Sequence, residues 1–278
     1  MLYTKKFNGL KVIMMLMFSF ALLQGCGKKD NVREVEVTKE SALEMYLEAK
    51  RALDAGVWTA AENKYKDLRS HYPFGHYTEQ GYLELAFAQY KLFKMEQAIS
   101  TVNRFIKNYP AHKNLDYAYY LKGLIYFNSD RGLMQRINPD DSADRNQENV
   151  RNAFSAFKDF VERYPDSNYA PDARQRMVYL KNQLATYETQ VAAYYLRRGA
   201  PIATINRCKF VLQAYQDTPA AADALALMAA AYDKLDEPEL ANETKTMLAN
   251  NYPNHKYLQT GEVNIDTNVL KWTDIWPF

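Results

Sequence analysis

The stretch AKRALDAGVWTAAENKYKDLRSHYP, residues 49–73, decides the fold, because most of the chain after it follows the same plan. It reads as a helix, a tight turn, a second helix and a Tyr-Pro stop. The segment from Ala61 to Pro73 recurs from Ala98 to Pro110, from Ala153 to Pro165 and from Ala241 to Pro253. A small residue stands twelve positions before three of those alanines, at Ala49, Ala86 and Ala229, where two helices can cross closely. A fainter unit places Ala192, Thr204 and Tyr215 at the matching positions. The anchors Ala49, Ala86 and Gly123 step by 37 residues, and so do Ala192 and Ala229. Repeats of that period predict an all-α superhelical solenoid of five helix-turn-helix units, here numbered repeats 1–5.

Two irregularities sit on that plan. Gly123 and Ala153 are 30 residues apart where twelve is the rule, which puts a loop insertion in repeat 3, the polar segment 129–146. Ala153 and Thr204 are 51 apart, fourteen more than one period, or about four helical turns. One long helix from Tyr169 to Arg198 is therefore expected to open repeat 4, with Met177, Leu180, Leu184, Tyr187, Val191 and Tyr194 as its buried stripe. Gly199 and Pro201 stop it. Upstream, Ser41 and Glu44 form a capping box expected to start the first helix. After Pro253 the composition shifts toward Thr, Val, Ile and Asn, so 258–278 reads as a non-helical, non-repeat tail carrying Trp272, Trp276 and Phe278.

The unit resembles the tetratricopeptide repeat, which pairs a small residue on the first helix with Ala, aromatic and Pro at fixed offsets on the second. Ala61-Tyr65-Pro73, Ala98-Val102-Pro110 and Ala153-Phe157-Pro165 carry the pattern, while Ala241-Lys245-Pro253 lacks the apolar middle residue, as a terminal repeat facing water would. Arrays of this family present their first helices along a groove. That resemblance implies a lining of Tyr46, Lys50, Leu53, Leu83, Phe87, Tyr90, Tyr120, Leu124 and Phe127 in repeats 1–3. The matching positions in repeats 4 and 5, Thr189, Ala193, Leu196, Ala226, Ala230 and Asp233, are smaller and more polar, so two kinds of partner are expected.

The N-terminus supplies an address. Lys5, Lys6 and Lys11 lead into the apolar run Val12–Leu23, too short to span a bilayer, so residues 1–25 read as a signal peptide. Leu23-Gln24-Gly25-Cys26 resembles the lipobox of bacterial lipoproteins, which implies acylation of Cys26 and, with no Asp following it, sorting to the outer membrane. Acyl chains anchor strongly, at about 0.8 kcal/mol per buried CH2. Residues 26–40 are charged and poor in apolar bulk, a lipidated tether. Removing the leader takes three lysines from a net charge of +2, leaving −1, and nothing in that balance points to nucleic acid.

Catalytic chemistry has little to rest on, since no P-loop, GxSxG, HExxH or CxxC occurs. Cys208 falls on the apolar stripe of a helix and reads as a small core residue. His71, His76, His112 and His255 fall beside prolines or in inter-repeat loops, a placement for solvated side chains rather than metal ligands. The chain is expected to be no enzyme, with no cofactor and no metal.

Finer strings narrow the family. Tyr72-Pro73-Phe74-Gly75 with Tyr77, Asn114-Leu115-Asp116-Tyr117, Tyr194-Tyr195, Arg198-Gly199-Ala200 and Asn206-Arg207 resemble the lipoprotein family of the outer-membrane β-barrel assembly machinery. The resemblance covers residues 23 to about 257. It implies a non-enzymatic scaffold at the periplasmic face of the outer membrane, held there by its N-terminal lipid, with other lipoproteins of the complex as neighbours. Repeats 1–3, residues 41–165, would receive C-terminal signals of unfolded outer-membrane β-barrel proteins, through Tyr72, Phe74, Gly75, Tyr77, Phe87, Tyr90 and Tyr120. Repeats 4–5, residues 166–257, would dock on the periplasmic domains of BamA through Tyr194, Tyr195, Arg198 and Arg207, where Arg pairs bidentately with carboxylates. Arg207 lies off the apolar stripe and is expected to be exposed, or else to pair with a carboxylate of its own repeat. The alternative is a periplasmic tetratricopeptide lipoprotein that coordinates peptidoglycan synthesis or cell division.

Overall fold

The computed structural model describes residues 39–129 and 147–263. The signal peptide, Cys26, most of the tether, the insertion beyond Ser129 and the tail beyond Val263 lie outside the described residues. From Ala42 onward the chain is one compact unit; before it only the first turn of a helix is described.

The described residues hold eleven helices and no strand. Ten form five consecutive antiparallel pairs: α1 (Lys39–Asp54) with α2 (Trp58–His71), α3 (His76–Lys91) with α4 (Met95–Asn108), and α5 (Leu115–Asn128) with α6 (Gln147–Arg163). Then follow α7 (Ala170–Arg197) with α8 (Pro201–Ala214) and α9 (Ala220–Asp233) with α10 (Pro238–Asn251). Helix α1 shares the repeat-1 core with α2, and from α2 to α10 each helix packs chiefly on its neighbours in sequence, the contact pattern of a solenoid. The five-repeat reading is thus realised.

The anchors explain the pairing. Ala49, Ala86, Ala192 and Ala229 on the first helices are fully buried, and so are Ala61, Ala98, Ala153 and Thr204 on the second. In repeat 3 the first-helix anchor is Gly123, where a Cβ would lie 2.5 Å from the Phe157 ring. Seven residues beyond the second-helix anchors stand Leu68, Phe105, Phe160, Val211 and Leu248, all with no exposed surface. The repeat tyrosine follows four residues later, and in each repeat its N–H donates to the carbonyl of that core residue, closing the helix.

Four turns share one conformation. Gly56, Phe93, Gly199 and Asp236, each five residues before its anchor, have φ between 57° and 72°. The next N–H reaches back to Ala52, Gln89, Tyr195 and Tyr232, the bond that satisfies a helix-end carbonyl in a Schellman motif. Only two of the four positions are glycine, so this turn was legible at Gly56 and Gly199 and hidden at Phe93 and Asp236.

Three expectations need correction. Helix α1 begins at Lys39, so Ser41 lies inside its first turn instead of capping it. The long helix spans Ala170–Arg197 as read, with Tyr169 and Arg198 flanking it, but its buried surface is wider than one stripe. Leu180 and Leu184 are buried, whereas Tyr194 is 47% exposed and Ala173, Tyr179, Ala185, Ala192 and Leu196 face the core. The helix packs on α6, α8 and α9 together, which asks for two apolar faces. The start of the tail is helical: α11 (Lys256–Thr260) closes the solenoid, with Tyr257 and Leu258 packed on repeat 5.

Candidate functional site

The first helices of repeats 1–3 bring an aromatic surface together. Tyr46 on α1 lies 5.6 Å from Tyr77 and 6.4 Å from Tyr65, ring centre to ring centre. Glu84 on α3 gathers them: it accepts from the Tyr46 hydroxyl at 3.1 Å, from the Tyr65 hydroxyl, and from Gln80 Nε2 at 3.0 Å. Gln80 in turn accepts from Asn114 Nδ2 at 3.0 Å, so the network runs from repeat 1 to the threshold of repeat 3. Burial, and after it the Glu84 charge, pushes both phenol pKa values above the ordinary tyrosine range. These two tyrosines donate hydrogen bonds and stay neutral.

Farther along, Phe87 stands edge-on to Trp58 at 5.9 Å and 6.2 Å from Tyr90, whose hydroxyl accepts from Asn128 Nδ2 at 2.8 Å. Tyr120 stacks on Tyr169 at 4.8 Å and donates to Asp172 at 2.7 Å, and Arg176 holds that same carboxylate at 2.6 Å.

The predicted contact residues differ in access. Phe74 is 86% exposed, on the loop between α2 and α3, while Tyr77, Phe87 and Tyr90 are half-buried. Tyr72 and Tyr120 are buried, as are Leu53, Leu83 and Phe127 of the expected lining. Sequence offsets identify the face of a helix but not how far the next repeat covers it. Gly75 has φ 118° and ψ 163°, a region only glycine occupies without strain, and its carbonyl accepts from Thr78 and Glu79 to start α3.

The corresponding region of repeats 4 and 5 has another character. Thr189, Ala193, Leu196 and Ala226 are buried by inter-repeat packing, Ala230 is half-buried and Asp233 at the end of α9 is exposed, while an exposed aromatic and a cation come together at the end of α7. Tyr194 stands edge-on to Tyr195 at 5.8 Å, and the exposed Arg198 guanidinium lies 5.3 Å from the Tyr194 ring centre. Arg207 on α8 turns to α7, where its Nη1 donates to Glu188 at 2.8 Å; Arg151 of repeat 3 lies 3.9 Å from the other oxygen of that carboxylate. Tyr194 and Arg198 thus share one exposed patch, and Arg207 is engaged within its own repeat.

Cys208 is fully buried, and burial raises its thiol to about 12, so it is not a thiolate nucleophile at neutral pH. Among the described residues no three potential metal ligands converge, and no helix is long and apolar enough to cross a membrane. Glu84 is the residue that sequence reading missed. A single glutamate between two apolar neighbours carries no signal until the fold brings two tyrosines to it.

The profile of the family described as "YfiO: Outer membrane lipoprotein" matches residues 38–248. "Outer membrane protein assembly factor BamD" of Neisseria gonorrhoeae is 37% identical over 250 residues, covering 90% of this chain and 92% of the relative. The protein of the same name from Vibrio cholerae is 38% identical over 232 residues, 84% of this chain and 95% of the relative. That from Xylella fastidiosa (strain Temecula1) is 36% identical over 256 residues, 91% and 86%.

Proposed function

Because the chain belongs to the YfiO family of outer membrane lipoproteins, we propose that it is an assembly factor for outer membrane proteins, a non-enzymatic scaffold whose two halves hold different partners. Acylation of Cys26 anchors it, and the residues from Cys26 to the start of α1 at Lys39 tether the solenoid to the membrane. The client half is residues 41–165, which receives aromatic C-terminal segments of unfolded β-barrel proteins. Residues 166–257 bind the periplasmic domains of BamA, with other lipoproteins of the complex alongside.

The observation that carries this reading is the contrast between the halves. The first helices of repeats 1–3 keep Tyr46, Tyr77, Phe87 and Tyr90 within reach of solvent, while those of repeats 4 and 5 bury their small residues and expose Tyr194 and Arg198. Aromatic walls suit extended apolar segments, and an exposed Arg-Tyr pair suits a folded partner bearing carboxylates. Phe74, Tyr77, Phe87 and Tyr90 touch the client; Tyr72 and Gly75 shape the loop that carries Phe74, and Tyr120 packs behind the groove against Phe157, Phe160 and Tyr169. Tyr194, Tyr195 and Arg198 form the BamA contact, with Arg207 behind it.

The test is affinity purification of the tagged lipoprotein from detergent-solubilised envelopes, comparing wild type, Arg198→Glu and Phe74→Ala. Wild type retains BamA, Arg198→Glu loses most of it, and Phe74→Ala keeps it while capturing fewer unfolded barrel chains. Recovery of peptidoglycan synthases in place of BamA would overturn the reading.

A further inference from the structure

Glu84 is half-buried and accepts three hydrogen bonds, all from neutral donors: two phenols and an amide. Among the described residues no lysine, arginine or histidine forms an ion pair with it. The other carboxylates that reach the core are paired: Glu62 with Lys66 and Lys94, Glu188 with Arg207 and Arg151. Lys50, one helical turn from Tyr46, is paired with Asp54 at 2.6 Å, and Asp54 is itself a further negative charge bearing on Tyr46 and Tyr65.

Neutral donors stabilise a carboxylate without cancelling its charge, and a carboxylate removed from bulk water gains most from a cation at contact distance. A carboxylate accepts about four hydrogen bonds, and the protein supplies Glu84 with three. The Tyr46 ring, whose hydroxyl Glu84 holds, lies 5.6 Å from the Tyr77 ring, and aromatic faces attract a cation in their own right. The Glu84 charge is felt across three repeats: after burial it raises the phenols of Tyr46 and Tyr65, and it adds to the rise at Tyr117 on α5.

We propose that Glu84, with the Tyr46 ring whose hydroxyl it holds, is a cation subsite that selects partner segments carrying a Lys or Arg side chain beside their aromatic residues. The inference rests on the reading of repeats 1–3 as the client half and adds a charge requirement to it. Aromatic packing supplies general affinity there, and the carboxylate discriminates among aromatic segments.

The full lipoprotein in detergent is titrated, by fluorescence anisotropy, into labelled twelve-residue peptides with alternating aromatic residues and a C-terminal Phe. One set carries a single Arg walked along the interior positions; the matched set carries citrulline, which keeps the shape and loses the charge. At least one Arg register binds wild type about tenfold more tightly than its citrulline twin, and that ratio falls to near one in Glu84→Gln. As a control on wild type alone, raising salt to about 1 M, where the Debye length is about 3 Å, weakens the Arg peptides more than their twins. Equal binding of every Arg and citrulline pair overturns the subsite and leaves the aromatic client groove standing. Undiminished discrimination in Glu84→Gln moves the cation site elsewhere and overturns it too. Absence of binding by either set overturns both readings.

Discussion

Arg207 on α8 is tied to Glu188 on α7 at 2.8 Å, and the carboxylate it holds is only 4% exposed. Removing the arginine leaves a buried charge with Arg151 at 3.9 Å as its remaining cation. The Arg207 side chain is 43% exposed, so solvent screening reduces the loss to about 1–2 kcal/mol. Arg207→Ala should lower the thermal midpoint by a few degrees, and Arg207→Glu by more, because it sets two carboxylates together. Adding Glu188→Gln to Arg207→Ala should restore most of the stability. A midpoint unchanged in Arg207→Ala would show that the pair contributes nothing, and any loss of BamA retention could then be assigned to direct contact.

Gly123→Ala should damage repeat 3 although it adds one methyl group. The new Cβ would lie 2.5 Å from the Phe157 ring, which is fully buried and packed against Tyr120 and Phe127. A ring so enclosed moves only with its neighbours, and overpacking of this kind costs about 1–3 kcal/mol. Equilibrium urea unfolding gives the direct measure. Pairing it with Phe157→Leu, which vacates space at the contact, should recover part of the loss.

How much of this was legible in the sequence depends on whether a feature is local or made by neighbours. The anchors Ala49, Ala61, Ala86 and Ala98 set the helix pairs because a small residue at a fixed offset has one meaning in every copy. Gly123 belongs to that series, and the eighteen-residue insertion did not conceal it. The turn at Phe93 was hidden, since nothing about phenylalanine announces φ 59°. Depth was hidden too. Tyr46 and Tyr120 occupy equivalent groove positions, yet Tyr120 is covered by Tyr169 of the next repeat while Tyr46 is only half-buried. Arg207 and Glu188 are nineteen residues apart, and only the crossing of α7 and α8 joins them.

Glu62 predicts an acid limb. It is 1% exposed and bridges Lys66 at 2.7 Å to Lys94 at 2.6 Å, linking repeat 1 to the turn of repeat 2. Burial pushes its carboxyl up, but the hydrogen bonds and charges of the two lysines outweigh that and hold it below the usual carboxylate value. The folded pKa is then lower than the unfolded one, about 4.3. The bridge therefore contributes fully above that pH and is lost as pH falls through the folded value. Glu62→Gln should be less stable than wild type at pH 7, and the gap should narrow toward pH 3. A constant gap from pH 7 to pH 3 would exclude the bridge as its source.

Gly75→Ala separates the backbone from contacts, because a Cβ there meets nothing within 4 Å. The strain of φ 118° is the whole effect, about 1–3 kcal/mol. The loop should answer by shifting, carrying the exposed Phe74 with it. The expected result is a modest fall in thermal midpoint with a larger fall in affinity for aromatic-ended peptides. Loss of stability with unchanged peptide affinity would remove the loop from the client site.

Tyr257→Ala should loosen one end of the molecule and leave the other intact. The ring is 5% exposed against repeat 5, its hydroxyl donates to Asp233 at 3.3 Å, and His255 Nε2 lies 3.2 Å from Asp223. Truncating a buried aromatic costs about 3 kcal/mol, and in a solenoid each repeat leans only on its neighbours. The lost stability should therefore appear locally. Hydrogen exchange should quicken in α9 and α10 and stay at wild-type rates in α1 to α4. Faster exchange throughout would mean that the five repeats unfold as one cooperative body, and α11 would then be a clamp on the whole molecule and not a cap on its last repeat.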